Sequence, residues 1–221
     1  MTTLRGCARL GLGLVAVLPA AALASRDALQ GTWLQLEGQQ PNAVLTPAGE
    51  AIVAAYEPLR DDPDTHCMPP SITNVIAIPD PPWEIRLFDD HVEMNFEYMD
   101  VKRHVPIDAD LSPEDAPYTD EHYPHLGRSV AHFEGDALVV ETADPEQGYL
   151  DTLRVTLPQS TQMRTEERYV ADGDRLHVTI RHTDPVYYEA PFAISFEFLR
   201  VDLEVLEFNC TVDAASYEDR L

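Results

Sequence analysis

Residues 127–142 read GRSVAHFEGDALVVET and limit the possible fold more than any other stretch of the chain. Two β-rich runs flank an acidic turn at residues 134–136, whose central glycine tolerates the positive φ that tight turns require. The same phrase returns at residues 172–179, and a shorter copy starts at residues 89–90. Three acidic turns, each starting an alternating strand, predict an antiparallel series of hairpins.

Other segments agree with this pattern. Apolar and polar side chains alternate over residues 83–88 and 92–99, as in a sheet with one dry and one wet face. Residues 192–201 and 203–211 are expected to form the last strand pair. We therefore predict an all-β fold, an antiparallel up-and-down meander that closes into a lipocalin-like barrel of about eight to ten strands.

One short helix is expected near the N-terminus of this barrel. Thr46 is a suitable N-cap residue, and Pro47 follows it at the first helical position. The helix should run to about Glu57, because Pro58 cannot continue it.

The first residues resemble an export signal. Arg5 and Arg9 precede a short apolar run, and residues 22–24 read Ala-Leu-Ala, a small-x-small cleavage site. This pattern predicts a signal peptide over residues 1–24 and a single barrel domain over residues 25–221. The apolar run is too short to span a bilayer, so we expect no membrane insertion after its removal and a periplasmic or secreted protein.

The charge of the chain limits its partners. Its 39 Asp and Glu outnumber its 15 Lys and Arg, which gives a formal net charge of −24. Such a field repels phosphate backbones, so nucleic acid is excluded as a partner, and anionic membrane surfaces are disfavoured.

Two cysteines, Cys67 and Cys210, lie beyond the expected leader. In an oxidising compartment an even number of cysteines favours a disulfide, and two cysteines allow only one pairing. The alternative is a pair of buried free thiols.

Several motifs resemble those of known families. The Gly-x-Trp opening at residues 31–33 resembles the first strand of lipocalin-like barrels, although their Thr-Asp-Tyr turn is absent. The chain as a whole resembles a widespread family of secreted bacterial proteins of unknown function. The shared motifs are LTPAG (45–49), DDP (61–63), CMPP (67–70), the hairpin at 127–142 and EFNC (207–210).

That resemblance implies export and pairing of the two cysteines, and it brings no activity with it. The family pattern has histidine where this chain has Arg128, and a histidine-rich segment at residues 157–160, which here read LPQS. Histidine chemistry in relatives would therefore not carry over to this chain.

Signatures of hydrolases, zinc proteases, phosphate loops and dinucleotide sites are all absent from the sequence. The leading hypothesis is therefore a binding protein for a small, largely apolar molecule, because a barrel can bind without convergent catalytic residues. Arg103 or Arg128 would meet a polar end of the ligand, and Trp83, Phe96 and Tyr98 would contact its apolar body.

Two alternatives remain open at this stage. The first is a cofactor-free hydrolase, lyase or isomerase with His104 or His132 as general base and a carboxylate such as Glu97 or Asp108 as partner. His104 could equally be an ion-paired strand end. The second alternative is a structural or interaction protein of the cell envelope that uses its acidic face.

His122 and His125 lie three residues apart beside acidic residues and are the candidate metal ligands of the sequence. Pro124 separates them on a loop, and this spacing specifies no coordination geometry. The sequence therefore predicts neither a metal nor a cofactor.

Overall fold

The computed structural model describes residues 26–39, 41–151 and 156–211, and β-strands are the predominant secondary structure of these residues. The expected leader at residues 1–24 lies outside the described residues. The strands, in chain order, are β1 (Gly31–Gly38), β2 (Trp83–Leu87), β3 (His91–Phe96), β4 (Lys102–Pro106), β5 (Arg128–Glu134), β6 (Ala137–Ala143), β7 (Gly148–Asp151), β8 (Leu157–Gln159), β9 (Arg164–Asp172), β10 (Arg175–Thr183) and β11 (Phe192–Val201).

Nine of these strands form one antiparallel sheet in the order β4-β3-β2-β1-β11-β10-β9-β6-β5, and β7 pairs with β8 in a separate hairpin. The predicted fold class, an antiparallel up-and-down barrel that is nearly closed, is confirmed. The turns at Gly135 and Gly173 have φ values of 63° and 60°, as the hairpin motif predicts.

The odd number of strands determines how the two edges of the barrel meet. Since neighbouring strands alternate in direction, the first and last strands of a nine-stranded sheet run the same way. Ile107, just beyond β4, indeed makes a parallel bridge to Ala131 of β5, where the Asp108 N–H donates to the Ala131 carbonyl at 2.9 Å. We call this junction between β4 and β5 the seam.

Between β1 and β2 the chain forms the helices α1 (Pro47–Ala55), α2 (Pro58–Asp61) and α3 (Ile72–Ala77). The predicted α1 is confirmed, and the Thr46 side chain accepts a hydrogen bond from the Gly49 N–H at 3.2 Å. The sequence does not predict α3, whose six residues are all buried. No helix in the described ranges is long and apolar enough to cross a bilayer.

Side chains fill the interior of the barrel. Along β3, β4 and β10 every second residue points inward and is almost fully buried, as the period of two requires. The inward-facing side chains include Trp33, Trp83, Ile85, Met94, Phe96, Leu138, Val140, Tyr169, Val178, Ile180 and Phe198. The interior is therefore a packed core.

One ion pair lies inside this core. Arg103 and Glu167 are completely buried, and both terminal nitrogens of the guanidinium donate to the carboxylate, at 2.7 and 2.9 Å. Tyr169 donates a further hydrogen bond to Glu167. Burial and the negative charge of Glu167 raise the pKa of Tyr169, so that its hydroxyl remains a donor.

The last segment departs from prediction. Residues 203–211 were expected to pair as a strand, but they carry no strand after β11. Instead, the Leu206 N–H donates to Glu97 and the Phe208 N–H donates to Asp100, each at 3.0 Å. The expected disulfide between Cys67 and Cys210 is present, with 5.8 Å between the Cα atoms, and fastens this segment to the loop before α3.

Replacing Glu167 by glutamine should lower the free energy of unfolding by about 3–5 kcal/mol, because it leaves the Arg103 charge buried without a counter-charge. Replacing both Arg103 and Glu167 by methionine should recover most of this loss, since no buried charge remains. Urea denaturation measures both effects. Glu166→Gln, at the exposed neighbouring position, is the matched control, and an equally small effect of Glu167→Gln would contradict the argument.

The burial of His182 should make the free energy of unfolding depend on pH. Its ring is fully buried between Thr73 and Thr165, with N···O distances of 3.4 Å, and burial lowers its pKa from 6.5 to about 3. Between these two values the unfolded chain binds a proton that the folded chain does not. Stability should therefore fall by about 1.4 kcal/mol per pH unit as the pH drops below 6.5.

Urea denaturation of the wild type and of His182→Gln at a series of pH values from neutral to mildly acidic isolates this effect. The stability advantage of the wild type should shrink as the pH falls, because only the wild type carries the buried imidazole. His177→Gln, at an exposed position of the same strand, should leave the slope unchanged. A constant difference between wild type and His182→Gln would show that the imidazole is not the cause.

Candidate functional site

A groove of about 820 Å³ opens on the outside of the barrel at the seam. We call it the seam groove. One wall belongs to β4, where Lys102 and His104 point outward because Arg103 between them points into the core. The other wall is the insert that connects β4 to β5. The lining residues are Asp100, Lys102, His104, Pro117, Tyr118, Thr119, Asp120, Glu121, His122 and Arg128.

The insert occupies the space that a tenth strand would fill. The His104 N–H donates to the Thr119 carbonyl at 3.0 Å, and the Thr119 N–H donates to the Gly127 carbonyl at 2.9 Å. Tyr118 also makes an antiparallel bridge to Arg128 at the start of β5. These bonds join the insert to both edges of the seam, so that it forms the rim of the groove.

Asp120 links the insert to β4 through backbone hydrogen bonds. One carboxylate oxygen accepts the Lys102 N–H at 2.6 Å, and the other accepts the N–H groups of His122 and Tyr123 at 2.7 and 3.1 Å. The side chain is only 5% exposed. Its carboxylate therefore accepts hydrogen bonds from three backbone N–H groups and holds the insert against β4.

Arg128 is the central cation of the groove. Its guanidinium lies over the ring of Tyr118, 4.0 Å from the centroid, and Nη1 donates to the Ala116 carbonyl at 2.7 Å. Within the described ranges it forms no ion pair with a carboxylate. The stacking and the single hydrogen bond fix the plane of the guanidinium and leave donors for an anionic group in the groove.

Gly127 joins the insert to β5 and has a φ of 94°. A Cβ atom at this position would approach the Ala143 carbonyl oxygen to 2.5 Å, so only glycine fits without a shift of the backbone. The first residue of the GRSVAHFEGDALVVET motif thus sets the position of Arg128 beside the groove.

The other sequence-predicted ligand residues lie elsewhere. Arg103 is bound by Glu167, and Trp83 stacks on Phe96 in the core with 5.0 Å between ring centroids. Tyr98 is 8% exposed and contacts Phe208 of the final segment. Of the five predicted ligand contacts, Arg128 alone lines the seam groove.

The candidate general bases are not brought together with the candidate carboxylates. Glu97 accepts the Leu206 N–H, and Asp108 accepts the Asp110 N–H at 2.9 Å. His132 lies 3.7 Å from Glu134 on the outside of β5. His104 lines the groove without a hydrogen-bonded carboxylate in the part of the chain that the structure describes.

The two histidines of the insert also separate. His122 lines the seam groove, whereas the His125 ring nitrogen Nε2 lies 2.9 Å from the Pro69 carbonyl oxygen. The sequence predicted neither Tyr118 nor Lys102 as a site residue, although both line the groove. The antiparallel bridge between Tyr118 and Arg128 joins residues at the two ends of a loop, so no regular spacing in the sequence predicts it.

No protein-family model and no curated protein matches this chain. Among solved structures, the chain is similar to the REP1-NXSQ fatty acid transporter, with 12% identity, 80% of this chain and 98% of the other covered, and a TM-score of 0.41. It is also similar to apo lipid binding protein 8 of Caenorhabditis elegans (11% identity, 84% and 100% covered, TM-score 0.39). The wild-type fluorescent protein UnaG is similar too, with 14% identity, 79% of this chain and 98% of that protein covered, and a TM-score of 0.39. Likenesses at this level assign neither a family nor a ligand.

Proposed function

We propose that this chain is a binding protein for a small, largely apolar molecule with an anionic end, and that the molecule lies in the seam groove. The observation that carries this proposal is the placement of Arg128. Its guanidinium is fixed by Tyr118 and Ala116 at the wall of a groove of about 820 Å³, with no carboxylate partner among the described residues.

The size and lining of the groove support a small organic ligand. Sites for such ligands have volumes of about 300–1,000 Å³ and combine apolar walls with a few fixed polar groups. Tyr118 and Pro117 are exposed and offer apolar surface, and Tyr118 has 45% of its surface accessible. Among the described residues, the inward-facing aromatic and aliphatic side chains are almost fully buried, and Glu167 already occupies the guanidinium of Arg103.

The charge of the groove supports an anionic end on the ligand. The whole chain carries a net charge of −24, so its general field repels anions. Lys102 and Arg128 nevertheless meet at this groove. Of the three carboxylates in its lining, Asp120 and Asp100 accept backbone N–H groups and Glu121 is exposed to solvent. Short-range, bidentate recognition of a carboxylate or sulfonate by Arg128 would fix the ligand's orientation.

We also propose that the protein acts in the periplasm or is secreted. The Cys67–Cys210 disulfide supports this location, since such bonds persist in oxidising compartments. The leader-like residues 1–24 support it independently, because they combine two arginines, an apolar run and a small-x-small site.

A fluorescence titration with anilinonaphthalene sulfonate tests the binding proposal, since this probe joins an aromatic body to one anionic group. We expect saturable binding to the wild type. Arg128→Met should weaken it about tenfold or more, because a hydrogen bond to a charged group is worth about 1.5–3 kcal/mol. Tyr118→Ala should also weaken binding, through lost contact area and a less ordered guanidinium.

Arg181→Met is the matched control, because Arg181 is an exposed arginine on the outer face of β10. It should bind the probe like the wild type. Equal affinities of wild type, Arg128→Met and Tyr118→Ala, in proteins with unchanged urea midpoints, would exclude the seam groove as the site.

Native mass spectrometry of the protein purified from its own host tests both proposals with one measurement. The mass should correspond to a chain that starts near Ser25 and carries the disulfide, together with a small molecule that dissociates on activation. A chain with residues 1–24 attached and free thiols would contradict export. A bare chain would contradict a tightly held ligand.

A further inference from the structure

Three side chains with metal-binding groups meet on the outer face of the barrel, away from the histidines that the sequence suggested. His91 and Glu93 lie two residues apart on β3 and so share a face, and His104 is the cross-strand partner of Glu93 on β4. One ligand atom from each residue lies within 4.8 Å of those of the other two.

The neighbours of His91 leave its ring nitrogen Nε2 available to bind a metal ion. Asp90 lies 2.7 Å from Nδ1, and a carboxylate at this distance holds a proton on that nitrogen. The lone pair of Nε2 is then free, and Nε2 faces Glu93 at 3.8 Å. A histidine oriented by a carboxylate in this way is typical of metal sites.

The imidazole of His91 is also held by its neighbours. Phe88 stacks on it, with 4.4 Å between ring centroids and an interplanar angle of 5°. His104 stacks on it as well, at 4.1 Å. Because the ligand atoms of the two imidazoles and of Glu93 lie within 4.8 Å of one another, rotation of these side chains can bring all three onto one ion.

We propose that His91, Glu93 and His104 bind a divalent transition-metal ion of the Zn²⁺ type. Two imidazoles and one carboxylate form a ligand set that suits Zn²⁺ and leaves a fourth position open. Ca²⁺ and Mg²⁺ prefer sites made of oxygen ligands and fit this set poorly.

A second histidine–glutamate pair in the described residues lacks the third ligand that this cluster has. On β5, His132 and Glu134 have the same two-residue spacing and lie 3.7 Å apart. That pair belongs to no group of three ligands in the described residues, and Glu134 is also held by Arg168 at 2.5 Å. His132 therefore provides a matched control for His91.

The metal site does not depend on the proposed ligand. His104 lines the seam groove as well, so a bound ion would border that groove and its open position could meet a donor atom of a ligand. Metal binding is nevertheless measured without any organic molecule. Arg128→Met should leave it unchanged, so the failure of one proposal can be distinguished from the failure of the other.

The experiment is a titration of chelator-treated, full-length mature protein with Zn²⁺ in a calorimeter, and with Co²⁺ followed by its visible absorption. We expect saturation at about one ion per chain. His91→Gln, Glu93→Gln and His104→Gln should each weaken binding by about tenfold or more, and Asp90→Asn by about tenfold through the loss of orientation. His132→Gln should bind like the wild type.

These substitutions lie on the partly or fully exposed outer face, and equal urea midpoints would confirm that each variant is folded. Absence of saturable binding by the wild type would overturn the proposal. So would wild-type affinity in both His91→Gln and His104→Gln, or an equal loss in His132→Gln, which would indicate nonspecific binding to surface histidines.

Discussion

The buried ion pair between Arg103 and Glu167 determines what the interior of this barrel can do. A guanidinium inside a barrel could hold an anionic ligand, but here a carboxylate of the chain itself holds both terminal nitrogens. Releasing that carboxylate would leave two buried charges unpaired, which costs several kcal/mol. The guanidinium of Arg103 is therefore already occupied by Glu167, and the site that we propose, the seam groove, lies on the outside of the barrel.

The number of strands explains where on the outside a site can form. Nine antiparallel strands bring two parallel edges together at β4 and β5, and their backbone groups cannot continue the antiparallel ladder. The insert between these strands satisfies part of this hydrogen bonding through Thr119. Because the insert covers the seam only partly, it creates a groove whose walls are strand on one side and loop on the other.

His104 connects the two sites that we propose. Its backbone helps to hold the insert, and its side chain belongs both to the seam groove and to the cluster with His91 and Glu93. A ligand with an anionic end would thus lie between a fixed arginine and a metal ion. These two kinds of electrostatic partner would act at short range, where the negative field of the whole chain matters least.

The sequence by itself determined the hairpins, the alternation of their faces and the start of α1, because each depends on neighbours a few residues away. Gly135, Gly173 and Thr46 act in this local way. The tertiary structure alone decided that Arg103 meets Glu167, 64 residues further on, and that the solvent-facing histidines of β3 and β4 stack on each other. Such partners are set by strand register and by the closure of the barrel, which no short window of sequence contains.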